Sequence, residues 1–311
     1  MKNNLLDHVG YHEKWHGKDQ KQRPTTKYSI NEKIIEFIFK KLNIGKGNFV
    51  EFGAWDGILN SNARNLFLNG WGGLFIESDP DRFSKLFMNY KNEKNIFLSE
   101  THLDTMYNLL DYEIENSIND QIDFMSIDID GLDLEIFKTI HKFLPTVLCI
   151  EGGQILEPYH KIVDKTISKK NIQQSLFQMN KIIESKGYKL VCAYQDAFFI
   201  LESQFHNLKI IQKDIFTHYV NGLLAYPRIP YIKLLLDEVK IGNRIIDYII
   251  EPLDLLRIDE IAKYGKASEK AEWVDNNFSI IESKLNELKN IRLEFPYDEH
   301  NETLWEEVSK F

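Results

Sequence analysis

The stretch "FVEFGAWDGILNSNARNLFLNGWGGLFIESDP", residues 49–80, carries the architecture of this chain. It opens on an apolar run ending in an acid, Phe49-Val50-Glu51, and closes on another, Leu74-Phe75-Ile76-Glu77. Two glycines four residues apart, Gly53 and Gly57, and a helical stretch at about 60–69 lie between them. Short runs of β-prone residues separated by a helical pattern predict neighbouring parallel strands with a crossover helix.

The alternation continues outward. Strand-like runs fall at 48–52, 73–77, 95–98, 122–127, 146–150, 188–193 and 197–201, with helical stretches at about 60–69, 80–91, 103–117 and 132–142 separating the first five. The pattern predicts a mainly parallel sheet covered on both faces. "GYKLVCAYQDAFFILES" breaks only at Gln195-Asp196, which predicts an antiparallel hairpin closing the sheet edge. Before the first strand, "SINEKIIEFIFKKLN" is helical, with Ser29 and Glu32 spaced as a capping box. Residues 1–27 form a polar segment in which His8, His12 and His16 would stack on one helical face; an exposed or lightly docked segment is the plainer reading. Beyond Ser203 the strand signal fades and helical patterns follow, so 28–202 reads as one domain and 203–311 as a helical C-terminal region.

Composition narrows the function. Of 311 residues 43% are apolar, enough for a real core. The net charge is −9, and residues 251–311 alone carry 15 acids against 8 bases. That balance argues against DNA or RNA as substrate, since a duplex binder must neutralise phosphates. No apolar run approaches the ~20 residues of a membrane span, and the N-terminus lacks a secretory pattern; a cytoplasmic protein is expected. Cys149 and Cys192 lie in apolar strand-like runs and read as buried reduced thiols.

In a parallel α/β sheet, ligands bind beyond the carboxyl ends of the strands. Glu51 marks the first such end, and the turn Gly53-Ala54-Trp55-Asp56-Gly57 follows it. Glu77 ends the next strand, where an acid commonly grips ribose hydroxyls. A dinucleotide site would want G-x-G-x-x-G around a pyrophosphate. The acid-bearing E-F-G-A-W-D-G is hostile to pyrophosphate and suits a ligand with a cationic amino-acid end and a neutral ribose. S-adenosylmethionine has both. The plainer alternative for Glu51 and Glu77 is an ordinary solvated strand end or N-cap.

Three segments, "FVEFGAWDG", "GWGGLFIESDP" and "IDFMSIDIDGLDLEIFKTI", together resemble the FkbM-like group of class I S-adenosylmethionine-dependent methyltransferases. The likeness extends to the helix "YSINEKIIEFIFKKL" and the closing hairpin, covering roughly 28–202. It implies a Rossmann-like α/β sheet, mainly parallel, with a helical C-terminal appendage. It implies that Glu51, Gly53 and Gly57, with Ala54 and Asp56 of the same turn, surround the methionyl part of the cofactor, and that Glu77 binds its ribose. Ser99 and Glu100, at the third strand end, are candidates beside the adenine, or plain loop residues.

"MSIDIDGLD" puts Asp128 and Asp130 at the fourth strand end, facing the transferred methyl group in the implied fold. With Glu151 at the fifth strand end they could hold a hard divalent cation, Mg2+ or Mn2+, that lowers the pKa of an acceptor hydroxyl. Asp128 or Asp130 could instead act alone as a base, with Asp128 also beside the cofactor, or cap the next helix. His160 is a candidate general base, or a surface histidine. The expected activity is methyl transfer to a hydroxyl of a sugar or glycan-related metabolite, the glycan part resting on the resemblance. The C-terminal region is expected to wall the acceptor pocket, to join two copies as a homodimer, or both. The rivals are an NAD-dependent enzyme and a non-catalytic interaction protein on the same fold.

Overall fold

A computed structural model describes residues 30–101, 114–152 and 175–219, and further on little more than 239–246, apart from a few positions inside these spans, Asp130 and Gln195 among them. The polar segment 1–27, Ser29, most of the helix expected at 103–117, and His160 lie outside the described residues.

The described elements are α1 (Ile30–Leu42), β1 (Asn48–Phe52), α2 (Arg64–Leu68), β2 (Gly72–Glu77), α3 (Pro80–Tyr90), β3 (Ile96–Glu100), β4 (Phe124–Ile127), α4 (Asp133–Thr139), β5 (Val147–Ile150), α5 (Leu176–Ser185), β6 (Tyr188–Ala193), β7 (Ala197–Leu201) and α6 (Glu202–Phe205). All seven expected strands are present, and they form one sheet in the order β3-β2-β1-β4-β5-β7-β6. β1 to β5 are parallel, and β7 runs antiparallel between β5 and β6. The expected mainly parallel sheet with an antiparallel closing hairpin is therefore the observed one. The chain builds outward from β1 through β2 to β3, then returns to lay β4 on the other side of β1. The strand order reverses there, which opens a crevice at the carboxyl ends of β1 and β4.

Both faces of the sheet are buried, which is why its strands read as near-continuous apolar runs. One face packs Val50, Leu74, Met125 and Leu148 against α4 and α5. The other packs Phe49, Phe75, Phe124 and Val147 against α1 and α3, each such side chain contributing about 1.5–3 kcal/mol by leaving water. Asp79 caps α3, one oxygen accepting from Asp81 N and Arg82 N at 2.9 Å each, with Pro80 in the first turn.

The core does not stop at Ser203. Leu208 is buried in the α1 face and Tyr219 in the opposite one. Further on, Val239–Ile241 (β8) and Arg244–Ile246 (β9) pair as a short antiparallel hairpin, so the region read from sequence as helical contains strand as well.

Candidate functional site

The turn after β1 is built from beneath. Gly53 N and Ala54 N both donate to Ile76 O, at 3.0 and 3.1 Å, which stitches the turn to the end of β2. Gly53 (φ 73°) and Gly57 (φ 72°) occupy the left-handed region. A Cβ on Gly53 would lie 1.9 Å from Asp128 O, so the β1 and β4 loops touch through a glycine. Beneath Gly57, Tyr90 donates its hydroxyl to Gly57 O and accepts from Arg64 Nη1 at 2.8 Å. Burial pushes the Tyr90 phenol up to about 12, so it stays a donor. Asp56 faces along the turn, accepting from Ile58 N and Leu59 N at 2.9 and 2.8 Å.

Glu51 is turned inward. It is 3% exposed, and its carboxylate accepts from Ser61 Oγ at 2.6 Å, Asn62 N at 2.6 Å and Ala63 N at 3.3 Å. Ser61 Oγ in turn accepts from Arg64 N at 3.0 Å. Glu51 thus holds the backbone of Asn62 and Ala63, the two residues that lead into α2. Burial nonetheless raises its pKa to about 7, the hydrogen bonds opposing that shift. Its influence on a ligand would pass through the backbone it holds.

Glu77 is 4% exposed. One oxygen accepts from Ser78 N and Asp79 N at 2.9 Å each, the other from Trp55 N at 2.7 Å. A carboxylate has about four acceptor positions. Three are taken, which leaves room for one more donor on the oxygen facing Trp55. The bidentate grip on two ribose hydroxyls expected from sequence would require the Trp55 amide to give way.

The β4 loop has its own anchor. Asp133, at the start of α4, accepts from Ile129 N at 2.8 Å and Gly131 N at 2.9 Å, holding the loop that carries Asp128. Burial is again the chief cause of its pKa rising to about 7, with the Asp128 charge adding to it. Asp128 is exposed at the strand end, Glu151 half-buried, and Asp130 lies outside the described residues. The metal expectation on Asp128, Asp130 and Glu151 is not supported. Among the described residues, which do not include Asp130, no group of three or more His, Cys, Asp or Glu is placed to hold an ion.

A buried polar row crosses the floor of the crevice on the α1 face. Glu51, Ser126 and Cys149 are register partners on β1, β4 and β5. Asn62 ties them together, donating through Nδ2 to Ser126 Oγ at 3.0 Å and to Cys149 Sγ at 3.7 Å. Asn31 on α1 donates to Asn62 Oδ1 at 3.1 Å and to Asp196 Oδ2 in the β6–β7 turn, which Cys149 Sγ also approaches at 3.9 Å. All are buried. Sequence reading passed over Asn31, Asn62, Asp133 and Asp196 as site residues, although Asp196 was visible as the polar break of the hairpin and Asp133 as part of the acidic block.

Ser99 is buried with its hydroxyl 2.6 Å from that of Thr101, and Glu100 is exposed opposite Glu77 in the β2–β3 register. Both stand at the third strand end as expected. Cys149 and Cys192 are free and buried on strands either side of β7, both facing Phe198 in register, and burial holds both thiols far above their ordinary range. No described helix is long and apolar enough to cross a membrane.

No family model and no curated protein matches this chain. Among solved structures it is similar to a protein of Staphylococcus aureus assigned as a caffeoyl-CoA O-methyltransferase, with 15% identity over 55% of this chain and 82% of that one, and a TM-score of 0.38. It is also similar to M. capricolum TrmK bound to S-adenosyl-homocysteine (14%, 75% and 98%, 0.35). A third likeness is to a SAM-dependent methyltransferase of Aquifex aeolicus (13%, 53% and 89%, 0.31). These are distant likenesses; the α/β fold of this chain, a seven-stranded sheet with a reversed strand order, is defined by its own topology.

Proposed function

We propose that the protein is an S-adenosylmethionine-dependent O-methyltransferase acting on a hydroxyl of a sugar or glycan-related metabolite. The observation that carries the cofactor half is the Glu77 carboxylate buried at the tip of β2 and joined to Trp55 N in the glycine turn of β1, beside the point where the strand order reverses. The glycan half rests on the FkbM-like resemblance of residues 28–202.

The turn fits the cofactor better than it fits a dinucleotide. A pyrophosphate would need the first amides of the following helix. Here Asn62 N and Ala63 N are held by the Glu51 carboxylate and Arg64 N by Ser61 Oγ, so that cradle is occupied by the protein itself. Positive φ at Gly53 and Gly57 lets the turn close onto Asp128 O and onto Tyr90, and Glu77 keeps one acceptor position for a ribose hydroxyl.

The cofactor would supply a methyl group already activated on a sulfonium, so that transfer leaves a neutral thioether. The chain must then hold the acceptor oxygen in line and take its proton. Among the described candidates Asp128 suits the second task, since its carboxylate is exposed at the end of β4 while its carbonyl seats Gly53. Asp133 fixes the loop on which it stands. Residues 203–311 are proposed to complete the acceptor pocket, to join two copies, or both.

The test is calorimetric titration of the full chain with S-adenosylmethionine and S-adenosyl-homocysteine, then transfer of a labelled methyl group to a panel of glycosides. Binding of both, with label on a hydroxylated acceptor, is expected. Failure to bind either would reject the reading. Asp128→Asn should leave cofactor affinity within about twofold and cut kcat by 10²-fold or more, because a base acts on the transition state. Normal turnover in that variant would make the acid structural.

A further inference from the structure

Trp55 is the residue of the crevice that the fold itself does not explain. Its φ is 50°, in the left-handed region that a bulky side chain rarely adopts. Of the other non-glycine residues there, Asn43 and Asn60 are of the type that tolerates it, and Lys209 ends a short helical turn. The Trp55 ring belongs to neither core; it is 37% exposed, while Ala54 beside it is buried. Arg82, from the first turn of α3, stacks its guanidinium 4.8 Å from the ring centre. The backbone amide of Trp55 itself donates to Glu77 Oε2 at 2.7 Å. An aromatic plane is thus held open to solvent, braced from one side by a cation and tied through its own amide to the acid expected to meet a ribose.

Strain kept at an exposed position needs a return that packing does not give here. A planar ring next to a ribose-binding carboxylate offers a face to a purine nucleoside. We infer that Trp55 is a specificity-determining residue of the cofactor site, its ring covering the nucleoside end of S-adenosylmethionine and Arg82 holding the ring in place. This rests on the cofactor reading above and adds to it a contact that the glycines and acids do not provide.

Three variants separate the ring from the backbone. Trp55→Asn keeps a residue suited to the left-handed conformation and keeps the amide to Glu77. Trp55→Phe keeps a smaller ring. Arg82→Gln removes the brace. Base–aromatic stacking predicts a loss of about tenfold in affinity for S-adenosyl-homocysteine in Trp55→Asn, with thermal stability unchanged or raised, and recovery of most of the affinity in Trp55→Phe. The loss should be the same for 5'-methylthioadenosine, which lacks the amino-acid end. In the parent protein saturating S-adenosyl-homocysteine should quench tryptophan fluorescence, and Trp55→Phe should abolish most of that quench. If the parent binds neither ligand, the cofactor reading itself falls. If the parent binds and Trp55→Asn binds equally well, or if the quench persists in Trp55→Phe, the ring's role is overturned while the cofactor reading stands. Unchanged cofactor affinity with a raised acceptor KM would likewise overturn it.

Discussion

Glu77 shows how a ligand-facing acid can also hold the protein together. Three backbone amides, from Trp55, Ser78 and Asp79, end on its carboxylate. Glu77→Ala should therefore do more than weaken the cofactor. Each bond lost from this part-buried loop costs about 0.5–1.5 kcal/mol, so a fall in Tm of several degrees is expected together with the loss of S-adenosyl-homocysteine binding. A variant with parental Tm and parental affinity would remove both roles. Glu51 and Asp133 make a second case. Burial raises both to about 7, so the folded chain keeps protons that the unfolded chain releases from about pH 4 upward. Their contribution is full below their ordinary pKa values, declines as pH rises to about 7, and is flat above. Urea midpoints measured from pH 5 to 8 should fall more steeply for the parent than for Glu51→Gln. Equal slopes would mean that Glu51 is ionised throughout.

The elements meet at the site through their loops more than through their bodies. The β1 turn rests on the β4 loop where Gly53 meets Asp128 O, and on α3 where Tyr90 reaches Gly57 O. A methyl group at 53 would both collide with that carbonyl and require a φ of 73° from an L-residue, which alone costs about 1–3 kcal/mol. Gly53→Ala is thus expected to lower Tm and to abolish cofactor binding together, as read by thermal melting and calorimetry. If the variant melts like the parent and binds normally, the two loops are not in contact in solution. At the other end of the sheet, Lys186 closes the C-terminus of α4 by donating to Phe137 O, Lys138 O and Ile140 O at 3.1, 3.0 and 2.5 Å. The helix that follows the acidic block is therefore secured at both ends, by Asp133 and by Lys186.

Among the described residues, apolar side chains cover both faces of the sheet, and a buried polar row is set into the α1 face. The row from Asn31 through Asn62 to Ser126 and Cys149 crosses the point of strand-order reversal, so the helix before the sheet, the loop after β1, strands β4 and β5 and the closing hairpin share one set of hydrogen bonds. The extent of the core also sets where the chain can be cut. Leu208 and Tyr219 are buried, so a chain ending at Ser203 should unfold at lower temperature than one ending at residue 222. The 222-residue chain should keep S-adenosyl-homocysteine affinity and lose methyl transfer if the remainder completes the acceptor pocket. Full turnover by that shorter chain would take the acceptor role away from it.

All seven strands of the sheet, the closing hairpin, the glycine turn and the helix from residue 80 were legible in the sequence, because each depends on neighbours within a few residues. Runs of β-prone residues, glycines four apart and a helical apolar period are local signals. The direction in which the acids face was not legible. Glu51 and Glu77 stand at strand tips as the spacing says, yet both turn their carboxylates onto backbone amides, a choice made by burial and by the loops that close over them. Asn62 finds its partners 64 and 87 residues away, and Asn31 reaches Asp196 across 165. Only the crossing of β4 to the far side of β1 brings these residues together, and no periodicity along the chain records a pairing that exists only between strands.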